Sequence, residues 1–178
     1  MSEAVAEAVP LATAVPVEGF SELYERTFPR VYAYVASLLR DRSAAEDVTA
    51  QAFERAYRKR RSYRPARGSM DAWVFGIARN AALDELRKRK RRAVLEADPE
   101  DTRSPTPEDE AELALRRETV RAALQSLDGQ ERDLIALKFA GGLSNGEIAG
   151  VLGMSESNVG TRLHRTITKL REACHEAS

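Results

Sequence analysis

Two small all-α domains joined by a flexible acidic linker are the architecture this 178-residue sequence predicts. Three observations predict it. Apolar residues recur at the three- and four-residue spacing of amphipathic helices, and no run alternates as a half-buried strand does. Segment 97–107 holds Pro99, Pro105 and Pro107 among acidic and hydroxyl residues, a composition that buries little and stays extended. The last third carries a helix-turn-helix signature, in which one short helix braces a second against a DNA groove. The expected organisation is a disordered tail over 1–19, a first domain over 20–94, a linker over 95–110 and a second domain over 111–178.

The first helix begins near Phe20, and Phe28, Val31, Val35 and Leu38 follow at core spacing. Pro29 predicts a break or kink, because proline removes a hydrogen bond inside a helix. Ser43 with Glu46 three residues on reads as a capping box. It opens a helix over 44–58 that buries Ala45, Val48, Ala52 and Ala56 and leaves Asp47, Gln51 and Glu54 on another side. Pro65 and Gly68 make 62–68 a loop. Ser69 then caps a long helix reaching about Arg92, with Met70, Trp73, Val74, Ile77 and Ala81 on its apolar side. Trp73 has two readings, a core residue by its phase with Ile77 or a wedge at a DNA fork.

In the second domain, a helix over 113–127 turns Leu113, Val120, Leu124 and Leu127 inward. Asp128, with Glu131 three residues on, opens the next. Leu134, Ile135 and Leu137 follow, and Ala140-Gly141-Gly142 ends it. Ser144 and Glu147 form a further capping box, ahead of Ile148, Ala149 and Leu152. Gly153 supplies a turn of positive φ, and Ser155 caps the last helix. There Val159, Leu163, Thr166 and Leu170 face inward. Ser157, Asn158, Thr161, Arg162 and Arg165 are left outside, near a helix N-terminus, where base edges and phosphates are met.

The formal net charge is zero, yet the charges are segregated. From Arg58 to Arg92 there are thirteen basic residues against three acidic, and from Glu96 to Glu112 eight acidic against Arg103 alone. A basic block of that density is suited to a phosphate backbone. Within it, Arg61, Tyr63, Arg64 and Arg67 place an aromatic ring among cations in one loop, an arrangement suited to an unpaired base. Arg79 and Asn80 read equally as fold-holding groups or DNA contacts. Arg87, Lys88 and Arg91 belong to a run of six cations that suits phosphates.

The same composition excludes other classes. One cysteine, Cys174, permits no disulfide within the chain and fits a reducing, cytoplasmic compartment. No apolar run approaches the ~20 residues that cross a bilayer, so membrane insertion is not expected. Residues 1–19 contain no Lys or Arg, unlike the start of a secretory signal. His164, Cys174 and His175 do not make a zinc set, and no phosphate loop or nucleophile–base arrangement is present. The expectation is a non-enzyme with no metal, no cofactor and no small-molecule substrate.

The stretch Asp71-Ala-Trp-Val-Phe-Gly-Ile-Ala-Arg-Asn-Ala-Ala-Leu-Asp-Glu-Leu-Arg resembles region 2 of bacterial sigma factors. Ala45-Glu-Asp-Val with Phe53 resembles the part of that region that grips RNA polymerase, and the C-terminal domain resembles sigma region 4. With only these two domains and a short linker, the chain is similar to the extracytoplasmic-function type of the sigma-70 family. The resemblance implies binding to core RNA polymerase through Asp47, Gln51 and Glu54. It implies recognition and melting of the −10 element by region 2, as single strand, and reading of the −35 duplex by region 4. It also implies control by an anti-sigma factor. Gly160 departs from the larger polar residue common at that position. The competing class is a dimeric helix-turn-helix regulator that does not bind polymerase; it accounts for 108–178 but leaves the region 2 pattern idle.

Overall fold

The computed structural model describes residues 17–95 and 111–176. Residues 1–16 of the expected tail over 1–19, and 96–110 of the expected linker over 95–110, lie outside the described residues. No strand occurs among those described. Helices α1 (Val17–Leu39), α2 (Arg42–Lys59) and α3 (Met70–Leu95) pack on one another as the N-terminal lobe. Two short 3-10 turns, Arg60–Ser62 and Pro65–Arg67, connect α2 to α3. The C-terminal lobe contains α4 (Ala111–Gln125), α5 (Gly129–Ile135), α6 (Asn145–Leu152) and α7 (Glu156–Glu176). Between α5 and α6 the chain makes one wide π-turn, Ala136–Ala140.

Three elements depart from expectation. Helix α1 starts at Val17 and runs through Pro29 without a break. Pro29 and Glu25, whose carbonyl loses its partner, are both exposed, so that carbonyl is free to turn to solvent and the helix continues. The cap of α2 is Asp41, not Ser43: its carboxylate accepts the Ala44 amide at 3.0 Å. Asp41 also receives Arg89 at 2.9 Å, which ties the start of α2 to α3. In α4, Val120 is about half exposed and Ala123 is buried, because this helix packs chiefly against α7; Leu127, also buried, lies just past its end. The side chain of Leu113 lies outside the described residues.

The inner face of α3 is wider than a single stripe. Val74, Ala81 and also Phe75, Ala78 and Ala82 are buried, while Met70, Trp73 and Ile77 are half-buried. The reason is position. Helix α3 touches α1 and α2 on one side and α6 of the C-terminal lobe on the other. The buried apolar side chains of both lobes accordingly form one continuous cluster. At the junction, Gly141 sits so close to Phe75 that a Cβ there would lie 2.9 Å from the ring and 2.7 Å from the Leu137 carbonyl oxygen.

Candidate nucleic-acid interface

The helix-turn-helix is built by local chemistry. Ser144 Oγ accepts the Glu147 amide at 3.2 Å, and Glu147 Oε2 accepts the Ser144 amide at 2.9 Å, closing the capping box of α6. Gly153 takes φ 67°, the left-handed conformation that ends α6. Ser155 Oγ then accepts the Asn158 amide at 3.2 Å, which starts α7. Val159, Leu163 and Thr166 are buried by this turn, and Leu170 is half-buried. The opposite side of α7 presents Ser157, Asn158, Thr161, Arg162 and Arg165, all exposed and within its first three turns or so. Two of them are already engaged. Thr161 Oγ1 donates to the Ser157 carbonyl at 3.0 Å, and an Arg162 Nη donates to Gln130 Oε1 at 3.2 Å.

On the N-terminal lobe, the basic block divides into three settings. Arg61, Arg64 and Arg67 are exposed on and around the short turns between α2 and α3. Tyr63, expected beside them as a stacking surface, is instead buried. Its hydroxyl donates to the Gly68 carbonyl at 3.0 Å, and its ring lies 5.6 Å from that of Trp73. It anchors the loop from within, and Trp73 is half-buried against it. Asn80, Arg87, Lys88 and Arg91 are exposed on α3. Arg87 pairs with Asp84 at 2.8 Å. With Lys88 and Arg91 it lines a cleft of about 150 Å³ between α2 and α3, which Gln51 also borders. Asp47, Gln51 and Glu54 share the exposed side of α2, where Glu54 pairs with Arg58 at 2.6 Å.

Arg79 stands apart from these. It is half-buried, and its Nε donates to Asp133 Oδ2 at 2.6 Å across the boundary between the lobes. Tyr34 Oη donates to the other oxygen, Asp133 Oδ1, at 2.7 Å. Burial first, and then the Asp133 carboxylate, push the Tyr34 hydroxyl pKa well above its ordinary range. Asp133, Tyr34 and Arg30 are residues that sequence pattern did not single out. The sequence signal for Asp133 is slight: it is the last charge before the apolar run Leu134 to Leu137, directly after Glu131 and Arg132.

Two further links join the lobes. Arg30 Nε donates to the Gly141 carbonyl at 2.8 Å, while one of its Nη atoms bonds Asp71 at 2.7 Å. Arg26 holds the other Asp71 oxygen at 2.6 Å. Burial alone would raise the Asp71 pKa, but the hydrogen bonds from Arg26 and Arg30 outweigh it and hold the carboxyl below its usual range. Ser69, the cap of α3, donates to Glu147 Oε1 at 2.6 Å, so one glutamate serves the α6 cap and the contact with α3 together. Among the described residues no cluster of His, Cys, Asp and Glu could hold a metal ion, and no helix is long and apolar enough to cross a membrane.

Comparison with known proteins places this geometry. A family model described as sigma-70 region 2 matches residues 23–92, and one described as sigma-70 region 4 matches residues 117–170. The RNA polymerase sigma factor CarQ of Myxococcus xanthus is 34% identical over 161 residues, covering 89% of this chain and 91% of its own. The ECF RNA polymerase sigma factor SigL of Mycobacterium tuberculosis is 33% identical over 159 residues, covering 86% and 88%. In fold, the chain resembles the sigma factor RpoE of Bartonella quintana, solved with the anti-sigma factor NepR. The TM-score is 0.70 at 24% identity, over 88% of this chain and 97% of that one. On these matches the chain belongs to the sigma-70 family of RNA polymerase sigma factors, in its extracytoplasmic-function group.

Proposed function

We propose that this protein directs core RNA polymerase to promoters, with residues 20–94 recognising and melting the −10 element and residues 111–178 reading the −35 duplex. The observation that carries the reading is the outward set on α7. Five polar and basic side chains stand exposed on a capped helix whose other side is locked into the core. Arg162 offers the fork that takes guanine in a bidentate way, and Asn158 the amide that suits adenine. Arg165, a turn further on, is assigned to phosphate.

On the N-terminal lobe, Arg61, Arg64 and Arg67, with Arg87, Lys88 and Arg91 along α3, supply cations for a separated strand, and Asn80 adds a neutral amide. Tyr63 supports that surface by holding the loop. Asp47, Gln51 and Glu54 are the proposed polymerase contacts, as an exposed row on α2. Because the similar RpoE was solved with an anti-sigma factor, a protein inhibitor of that kind is the proposed regulatory partner here. The working compartment is the cytoplasm, where polymerase and promoters are.

The test is reconstitution. The purified chain mixed with core polymerase and promoter DNA is expected to form a complex and yield transcripts from a defined start. Failure to associate with core enzyme, together with sound duplex binding, would return the protein to the class of simple helix-turn-helix regulators.

A further inference from the structure

We infer that Asp133 is a latch that holds the free chain closed and keeps Arg79 from DNA until the lobes part. This rests on the promoter-binding reading for what opening achieves, but the closed state itself stands on geometry. Asp133 on α5 is buried and takes hydrogen bonds from Arg79 on α3 at 2.6 Å and from Tyr34 on α1 at 2.7 Å. Two donors come from one lobe and the acceptor from the other. A buried carboxylate is costly unless it is both paired and hydrogen-bonded. The pair therefore specifies one closed arrangement and penalises near-misses. When the lobes separate, both charges return to water, so opening costs less than deleting one partner does.

Closure is incompatible with promoter engagement for a reason of distance. Arg79, on the lobe assigned to the −10 element, and Arg162, assigned to the −35 element, line one cavity of about 230 Å³ together with Gln130, Asp133, Leu152 and Met154. The two DNA elements are centred about 25 base pairs apart, which is roughly 85 Å of duplex at 3.4 Å per pair. No placement of the closed chain reaches both. The covalent connection permits separation, since the chain between Leu95 and Ala111 can span about 55 Å when extended, the part of α3 beyond Arg79 adds about 25 Å, and the C-terminal lobe between Ala111 and Arg162 adds its own width. Arg79 is consequently a shared group. It bonds Asp133 in the closed chain and becomes available to a DNA strand in the open one.

The experiment uses the full chain without polymerase. Radius of gyration by small-angle scattering and affinity for a short mixed-sequence DNA single strand are measured for the wild type, Asp133→Ala and Tyr34→Phe, with far-ultraviolet circular dichroism as the check on helix content. Asp133→Ala is expected to enlarge the radius of gyration and to tighten strand binding by between about five- and a hundredfold, the range of ordinary coupling between sites. Tyr34→Phe removes one oxygen atom and no charge, and is expected to shift both readouts in the same direction, by less. An Asp133→Ala chain with wild-type helix content and wild-type dimensions overturns the latch, even if its affinity rises, since removing a negative charge alone could do that. Should Asp133→Ala lose helix content, an unchanged Tyr34→Phe chain overturns it. Transcription by the wild-type chain with saturating core polymerase is read separately. Its absence would sink the promoter-directing role and leave the latch standing, whereas unchanged variants beside normal transcription would sink the latch alone.

Discussion

Thr49 is fully buried in α2, and its Oγ1 has no hydrogen-bond partner among the described residues. A buried hydroxyl left unpaired loses its water without compensation. Thr49→Val is expected to raise the unfolding free energy by about 1 kcal/mol, read from a urea melt; a drop would mean that the hydroxyl is satisfied. Asp133 is the contrasting case, a buried acid with both oxygens bonded. In the sequence it is only the last of three charges, Glu131, Arg132 and Asp133, ahead of an apolar run, and its partners are not visible there. Tyr34 and Arg79 are far away along the chain, and periodicity carries no information on pairing across lobes. Tyr63 shows the opposite limit. Composition placed an aromatic ring in a basic loop, yet the Gly68 carbonyl and the Trp73 ring draw it inward.

At the scale of elements, the caps were the most legible feature. Asp128 with Glu131, Ser144 with Glu147, and the Gly153 turn all form as the pattern of residues predicts, because a cap is decided within about four residues. Elements shaped by distant neighbours were less legible. Asp41 rather than Ser43 caps α2, and it is also held by Arg89 on another helix, a partner that the local pattern does not contain. The burial of Phe75 follows from α3 lying between two lobes, which no single-helix pattern contains. Gly160 offers a test at this scale. It lies inside α7, and a Cβ there would meet Asn145 Nδ2 of α6 at 3.8 Å, an ordinary contact. Gly160→Ala is expected to stabilise the C-terminal lobe by about 1 kcal/mol. The added methyl would face the brace helix, so affinity for duplex DNA should stay as it is. A weakened duplex complex from a more stable protein would instead place the backbone of Gly160 against DNA.

For the whole molecule, the two-lobe, all-helical architecture was readable from spacing, caps and the proline-rich acidic segment. The closed arrangement was not, because Arg30, Asp71, Ser69 and Glu147 look like ordinary surface residues until the lobes meet. These contacts make stability sensitive to acid. The Asp71 carboxyl has its pKa held down in the folded chain. Its contribution is therefore fully present above the unfolded value, near 4, and is lost as pH falls through the folded value. Thermal melts of the wild type are expected to fall off steeply below about pH 4. Asp71→Asn should be less stable at neutral pH and show a shallower acid slope. Parallel slopes for the two chains would show that Asp71 is not the group responsible.

Gly141 sets how these contacts can fail. With no room for one methyl group between the Phe75 ring and the Leu137 oxygen, the junction has no slack to slide by fractions of an ångström. A gap of that size would forfeit the van der Waals contact and leave the Asp133 charge dry and unaccompanied at the same moment. Intermediate separations are thus worse than either extreme. The protein should respond to whatever engages it as a snap fastener does, shut or undone, with a threshold instead of a graded opening.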